Sequence, residues 1–374
     1  MYNLRKVCRM KYIHELPEWP KFYWDRDKLG SRLAEVRHRQ GRLIGRMEAL
    51  GFPLRKEAVL QTLTLDVLKS SEIEGEKLNA EQVRSSIAKR LAIQVAGAVR
   101  ADRDVEGVVE MMLDASQNFA EPLTSERLFG WHASLFPTGR SGMHRIVVGA
   151  WRDSTKDPMQ VVSGSIGHET VHFEAPKAER LDREMRLFID WANERDDLDL
   201  VLRAALAHLW FVTIHPFDDG NGRIARAIAD WALARSENSS QRFYSMSAQI
   251  RMERNGYYKI LERTQKGTLD ISEWMAWFLD CLERAIAGTE LTLAAVFRKA
   301  RFWEKNAGKR INDRQRLMLN KLLDGFEGKL TSTKWAKITK SSQDTAYRDI
   351  QSLIEQGVLV KDGAGGRSTS YSLP

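Results

Sequence analysis

The stretch Ile214 to Arg226, I-H-P-F-D-D-G-N-G-R-I-A-R, gathers side chains suited to holding a chain of phosphates and moving a proton beside it. Gly220-Asn221-Gly222 follows one apolar helical pattern and precedes another, Ile224 to Ala234. Glycines on both sides of Asn221 permit positive φ and leave backbone N–H groups uncovered. At the start of a helix such groups form an anion pocket aided by the helix dipole. Arg223 and Arg226 are three apart, on adjacent faces, and both can turn back toward a polyphosphate. Asp219 offers a hard oxygen to a divalent cation, which needs only one or two protein carboxylates beside nucleotide phosphates. His215 stands just ahead of the loop and can take a proton from an attacking hydroxyl. Each piece alone is weak, because GNG is commonly a turn, a lone His commonly structural and an arginine pair commonly a solvated face. Together within one loop they carry a signal. The chain has no GxxxxGK[ST] and no H-E-x-x-H, so it is neither a Walker loop nor a zincin.

The elements that must position this loop are mostly helical. Leu29 to Leu50, Glu57 to Leu68, Asp104 to Phe119 and Ser125 to Leu135 space apolar residues three and four apart. Thr124-Ser125 with Glu126 reads as a helix start. Between Gly139 and Pro176 the pattern becomes short and alternating. Val161-Val162, then Gly164 and Gly167, then Val171-His172-Phe173 predict a hairpin. Helix resumes at Ala178 and runs, with breaks, to about Lys299. The greasiest run, Leu200 to Ile214, is too short for a span and carries Arg203 and His208, so it predicts a buried helix and no membrane contact.

The chain has 374 residues and a net charge of +8, and the excess is uneven. From Arg298 onward there are 16 Lys+Arg against 8 Asp+Glu, while the preceding residues balance at 42 of each. Such a tail points to a polyanion, nucleic acid first, against the plainer reading of a solvated basic surface. Arg301 to Arg310 reads as a linker. Asp313–Leu323, Ser332–Thr339 and Gln343–Glu355 then predict three helices, followed by two short alternating runs around a Gly-rich turn. That is the order of a winged helix-turn-helix. Gln343, Thr345 and Arg348 would lie on the leading turns of the third helix, where base edges are read, with Arg367 in the hairpin facing phosphates. The alternative is a winged helix that packs on protein. Two cysteines cannot make a disulfide scaffold, and MYNLRKVCRMKY has no apolar run behind it. Both point to a soluble, cytoplasmic protein.

The loop resembles the signature of the Fic (filamentation induced by cyclic AMP) family, H-x-F-x-[DE]-G-N-G-R-x-x-R, at His215, Phe217, Asp219, Gly220, Asn221, Gly222, Arg223 and Arg226. WPKFYWD and QGRL near the start resemble the N-terminal region of a bacterial subfamily that also ends in a winged helix. The resemblance implies a mainly α fold: an N-terminal helical region (1–100), a Fic core with a β-hairpin flap (101–297), a linker (298–310) and a winged-helix domain (311–374). It implies a protein adenylyltransferase that moves AMP from ATP to a Ser, Thr or Tyr hydroxyl, its own included. His215 would be the general base and Asp219 would hold Mg²⁺. Phe217 would anchor the loop, and the glycines, Asn221 and the arginines would bind phosphates. The flap (Val161, Val162, Val171) would hold the target strand, and Tyr257 and Tyr258 would enclose the base. Ser70-Ser71-Glu72-Ile73-Glu74-Gly75 resembles the family's inhibitory motif [ST]-x-x-x-E-[GN], which pairs its Glu with the second motif arginine, here Arg226. Ser70 and Glu74 are four apart, hence on one helical face, and Gly75 suits the left-handed residue that ends a helix. A nucleotide-sensing DNA-binding regulator, another nucleotide and AMP removal stay open, as do the target and a homodimer.

Overall fold

The computed structural model describes residues 12–95, 97–164, 168–323, 325–326, 328–362 and 369–374. Among these, fifteen α-helices accompany three two-stranded antiparallel hairpins. No described helix is long and apolar enough to cross a membrane. The chain divides into two compact units. The first takes the described residues up to Ala49 together with Val59–Thr289, and the second takes Leu50–Ala58 together with those of Glu290–Pro374. This differs from the expected boundaries, since the regions read as N-terminal and core share one unit.

Helix α1 (Arg26–Glu48) starts at Asp25, whose side chain accepts from the Lys28 N–H. Helix α2 (Phe52–Ile73) runs beyond the Glu57–Leu68 expected from periodicity, since Pro53 is tolerated in a first turn. It ends at Gly75, φ +90°, with Gly75 N–H donating to Glu72 O and Glu76 N–H to Ser71 O. Helix α3 (Ala80–Arg90), capped by Asn79, was not expected. Helices α4 (Arg103–Gln117) and α5 (Ser125–Leu135) follow, the latter capped by Thr124 as expected. At Gly107 any Cβ would overlap the Ser134 carbonyl, so glycine sets how closely α4 crosses α5.

Strands β1 (Arg140–Ser141) and β2 (His144–Arg145) form a small hairpin. The apolar run that follows is extended but unpaired as a strand. Its N–H groups go to site side chains, Val147 to Asp218 and Gly149 to His132 Nδ1. The expected hairpin is β3 (Gln160–Ser163) and β4 (Thr170–Glu174), with a bulge that leaves His172 without a partner in the register.

Helices α6 (Leu181–Asn193), α7 (Leu200–Ile214) and α8 (Asn221–Glu237) complete the core, with α7 buried from Val201 to Ile214. Helix α7 is apolar all round because its neighbours enclose it. Helices α9 (Met246–Met252), α10 (Arg254–Gln265) and α11 (Ser272–Thr292) close the unit. The aromatic opening segment packs Trp19 and Phe22 against Trp210 of α7.

In the second unit, α12 (Ala294–Lys305) is followed by α13 (Asp313–Leu323), α14 (Ser332–Thr339) and α15 (Gln343–Glu355). Strands β5 (Val360–Lys361) and β6 (Tyr371–Ser372) pair antiparallel, and Leu330 bridges to Tyr371. Three helices and a hairpin thus come in the expected order. The expected linker is largely helical instead. Its charges conceal Phe302 and Trp303, which pack on a core that includes Met318, Leu319, Trp335, Ile350 and Leu353. Trp303 also donates to Asn320 Oδ1 at 3.0 Å. Trp303→Ala should therefore cost about 1–3 kcal/mol of stability in this unit, measured by denaturant unfolding or amide exchange of α13–α15. A linker tryptophan would leave both unchanged.

Candidate active site

Helix α7 ends at His215, which adopts a left-handed conformation (φ 53°) while its N–H still donates to Phe211 O. Helix α8 begins after Gly220, also left-handed (φ 80°). The loop between them is closed by one side chain. Asn221 Oδ1 accepts from Phe217 N–H at 3.0 Å, and its Nδ2 donates to Phe217 O at 2.8 Å. Asn221 is therefore engaged by the loop itself rather than free for phosphate. Phe217 is fully buried and stacks on His132, ring centroids 4.1 Å apart and nearly parallel. Of the two glycines, only Gly220 needs a positive φ. Gly222 is helical, and what it supplies is space, because a Cβ there would overlap the Glu74 carboxylate.

The His215 Nδ1 lies 3.2 Å from Val212 O. A carbonyl only accepts, so Nδ1 carries the proton and Nε2 is left as the acceptor. Burial pushes this imidazole down to about 4, against the upward pull of the Val212 carbonyl. The ring is neutral near pH 7 and can act as a base. A cavity of about 610 Å³ opens here, lined by His215, Gly222, Glu74 and Tyr258 and on its far side by flap residues Val161, Val162 and His172. Val162 and Val171 are exposed, while Phe173 of the same hairpin is buried against Tyr12 and Ala175. Asp219 accepts from the Ser141 hydroxyl at the loop. The described residues contain no cluster of three metal-ligating side chains. The loop carries two carboxylates, Asp219 and its neighbour Asp218, whose Oδ2 accepts from Val147 N–H.

Both arginines are buried and both meet carboxylates from the chain that follows α2. Arg226 donates from Nε to Ser70 Oγ (3.0 Å) and from Nη2 to Ser70 O (2.9 Å), and Nη2 pairs with Glu74 Oε1 at 2.8 Å. The shared face of Ser70 and Glu74 is realised at this guanidinium. Arg223 Nη1 donates to Glu76 Oε2 at 2.6 Å. Arg223 Nε and Arg226 Nη1 have no hydrogen-bond partner among the described residues. Burial raises the Glu76 carboxyl above its usual range, while Arg223 pulls the other way. Glu76 was missed in the sequence, where it is one more surface-type glutamate. Its signal was position, two residues past Glu74 beyond a helix-ending glycine.

The two tyrosines separate. Tyr257 is buried and its hydroxyl meets His208 Nε2 at 2.8 Å, and its ring also lines the cavity. Tyr258 reaches the cavity and donates to Glu74 Oε2 at 3.3 Å, with the Arg254 guanidinium over its ring. Arg152 was also missed. It is buried, donates from Nε to His215 O (3.0 Å) and from Nη1 to Asp157 (2.9 Å), and also donates to Pro176 O. One guanidinium thereby ties the start of the loop to both ends of the flap. A lone arginine carries no motif, so no sequence signal marks it.

Removing Arg152 leaves Asp157 and two carbonyls without their donor. Arg152→Met should cost roughly 3–5 kcal/mol in denaturant unfolding. Burial holds His132 and His215 at about 4 and His208 at about 3. The unfolded chain binds protons on these rings near 6.5, so it takes up more protons than the fold as pH drops. Stability should be full above about pH 6.5 and decline toward about pH 4, so a melting temperature equal at about pH 5 and about pH 7 would contradict this assignment.

Residues 122–233 match the Fic/DOC family, and residues 12–93 match a domain of unknown function, DUF4172. Protein adenylyltransferase fic-1 of Caenorhabditis elegans is 30% identical over 181 residues, which are 47% of this chain and 32% of the relative. A uridine 5'-monophosphate transferase of Xanthomonas campestris pv. campestris (strain 8004) is 32% identical over 127 residues, 30% of this chain and 21% of the relative. The chain thus spans a third or less of the length of these two curated relatives. The crystal structure of a Fic family protein from Desulfovibrio desulfuricans G20 shares the fold with a TM-score of 0.58, covering 94% of this chain and 97% of that chain at 20% identity. Loop sequence, helical core and family match agree on one point: residues 122–233 form a Fic/DOC domain, in a chain whose fold is shared with a Fic family protein.

Proposed function

We propose that this chain transfers AMP from ATP to a Ser, Thr or Tyr hydroxyl of a protein, itself included. The observation that carries the reading is His215, with Nδ1 held on the Val212 carbonyl and Nε2 free at a cavity beside the N-terminus of α8. In the proposed step the hydroxyl oxygen attacks the α-phosphorus, its proton passes to His215 Nε2, and diphosphate leaves. The uncovered N–H groups at the start of α8, with Arg223 and Arg226, take the charge of the phosphate chain. Asp219 would hold Mg²⁺, which neutralises phosphate oxygens when bound. The exposed edge of the flap, with Val162 and Val171, suits a target segment added as a strand.

In this reading the resting chain is restrained by its own carboxylates. Glu74 and Glu76 sit on the two arginines that a triphosphate needs. A Glu–Arg226 pair and a productive γ-phosphate compete for one guanidinium, so the restraint acts on how ATP is posed more than on whether it binds. A purely nucleotide-sensing protein has no use for a neutral histidine with a free Nε2 at the phosphate loop. The uridine-transferring relative favours a second nucleotide as an alternative, because the loop handles phosphates and not bases.

The test is intact mass after incubation with ATP or UTP and Mg²⁺. Glu74→Gly should gain nucleotide on itself, and faster than wild type. His215→Ala should lose on the order of 10²–10⁴ in rate while still binding ATP. Glu76→Gln, which frees Arg223, should raise the rate further in the Glu74→Gly background. Equal self-modification by wild type and Glu74→Gly at saturating ATP would count against the restraint. Loss of ATP binding in His215→Ala would make the histidine structural.

A further inference from the structure

The second unit holds a face that the transfer reaction does not use. Helices α14 and α15 are joined by three residues, Lys340 to Ser342. Lys340 is left-handed (φ 51°), and Ser341 N–H closes onto Ala336 O at 3.0 Å. Ser342 then caps α15, its Oγ accepting from Thr345 N–H. The pair is rigidly seated, because Trp335, Ala346, Ile350 and Leu353 are buried in one core.

The chemistry of α15 is sorted by side. Its buried stripe includes Asp349, which Arg314 (2.8 and 3.0 Å) and Asn312 (2.9 Å) neutralise from the α13 side. The opposite face presents Gln343, Tyr347 and Arg348 to solvent, with Tyr347 53% exposed and Gln351 half-buried beside them. Asp344 is the one acid on these leading turns. Lys337 and Lys340 are exposed at the end of α14. Neither they nor Arg348 have an ion-pair partner among the described residues. Two unpaired lysines thus flank a strip of Gln, Tyr and Arg. Thr345 is half-buried and bonded to Ser342, so it belongs to the cap, and Arg367 lies outside the described residues.

We propose that this face binds duplex DNA, with α15 in the major groove and Lys337 and Lys340 on the phosphates. The pairing of a capped, exposed helix with a preceding helix across a three-residue turn is the geometry that delivers side chains to base edges. Arg and Gln are the residue types that make bidentate contacts to guanine and adenine there. Unpaired lysines supply counterion release. Duplex RNA fits less well, because its major groove is too deep and narrow for a helix.

The test uses the full chain with fluorescent duplexes of about 25 base pairs, one of mixed sequence and others selected from a randomised pool. Duplex RNA of equal length serves as competitor. Wild type should retard DNA, with affinity falling steeply between roughly 50 and 200 mM salt. Lys337→Gln with Lys340→Gln should weaken every duplex alike and flatten the slope of log Kd against log salt by about two. Arg348→Ala should shift preference at one base pair of the selected site by ~5–100-fold. Failure to retard any duplex at low salt would overturn the proposal and leave a protein-docking face. Binding unchanged by the lysine pair, or by Arg348→Ala in both affinity and preference, would overturn it as well. Competition by duplex RNA equal to DNA would do the same.

Discussion

The Asn221 amide is the interaction on which the site depends. It returns both of its ends to the backbone of Phe217 and so fixes the loop as one closed turn. Phe217 is held in turn by the stack on His132, so the turn has a fixed depth in the core. Two left-handed residues, His215 and Gly220, bracket it. Their conformations end one helix and start the next within five residues. The histidine is thereby aimed at the cavity while α8 opens with its N–H groups free. A loop that relied on solvent for these hydrogen bonds would not hold a base and an anion pocket at a constant separation.

Two buried guanidiniums then set the electrostatic problem. Arg223 and Arg226 are each about 97–98% removed from solvent, and a buried charge without a partner is expensive. The end of α2 answers it with Glu74 and Glu76. In the proposed reaction a phosphate chain would meet the same need, one anion exchanging for another so that the arginines would stay paired. Gly222 is part of this arrangement, because any side chain there would exclude Glu74. Burial works against the charge of Arg226, but Glu74 more than offsets it.

Arg152 extends the order outward. By holding His215 O, Asp157 and Pro176 O together it couples the motif loop to the base of the flap. The bulge at His172 turns that side chain to Glu262 of α10 at 2.9 Å, so the flap is tethered at its base and along one strand. What remains exposed is the Val162 and Val171 surface. The loop end of the cavity is therefore rigid and buried, and the flap end is open.

Much of this was legible in the sequence because it depends on neighbours along the chain. The H-x-F-x-D-G-N-G-R-x-x-R spacing fixes which residues share a loop and a helix start. The i, i+4 relation of Ser70 and Glu74 with Gly75 after them determined one face and one helix end. The α13, α14 and α15 limits followed from caps and periodicity. What periodicity could not reach was decided by contacts between distant segments. Tyr257 and Tyr258 are adjacent and alike in sequence and both line the cavity, yet the helix buries one against His208 and leaves the other to meet Glu74. Phe302 and Trp303 sit among charges that read as a linker, and only the core they meet makes α12 part of a packed unit. Glu76 and Arg152 are ordinary charged residues until tertiary structure brings them within hydrogen-bonding distance of Arg223 and the His215 carbonyl. Such pairings span more than a hundred residues in one case and sixty in the other, and no local pattern encodes them.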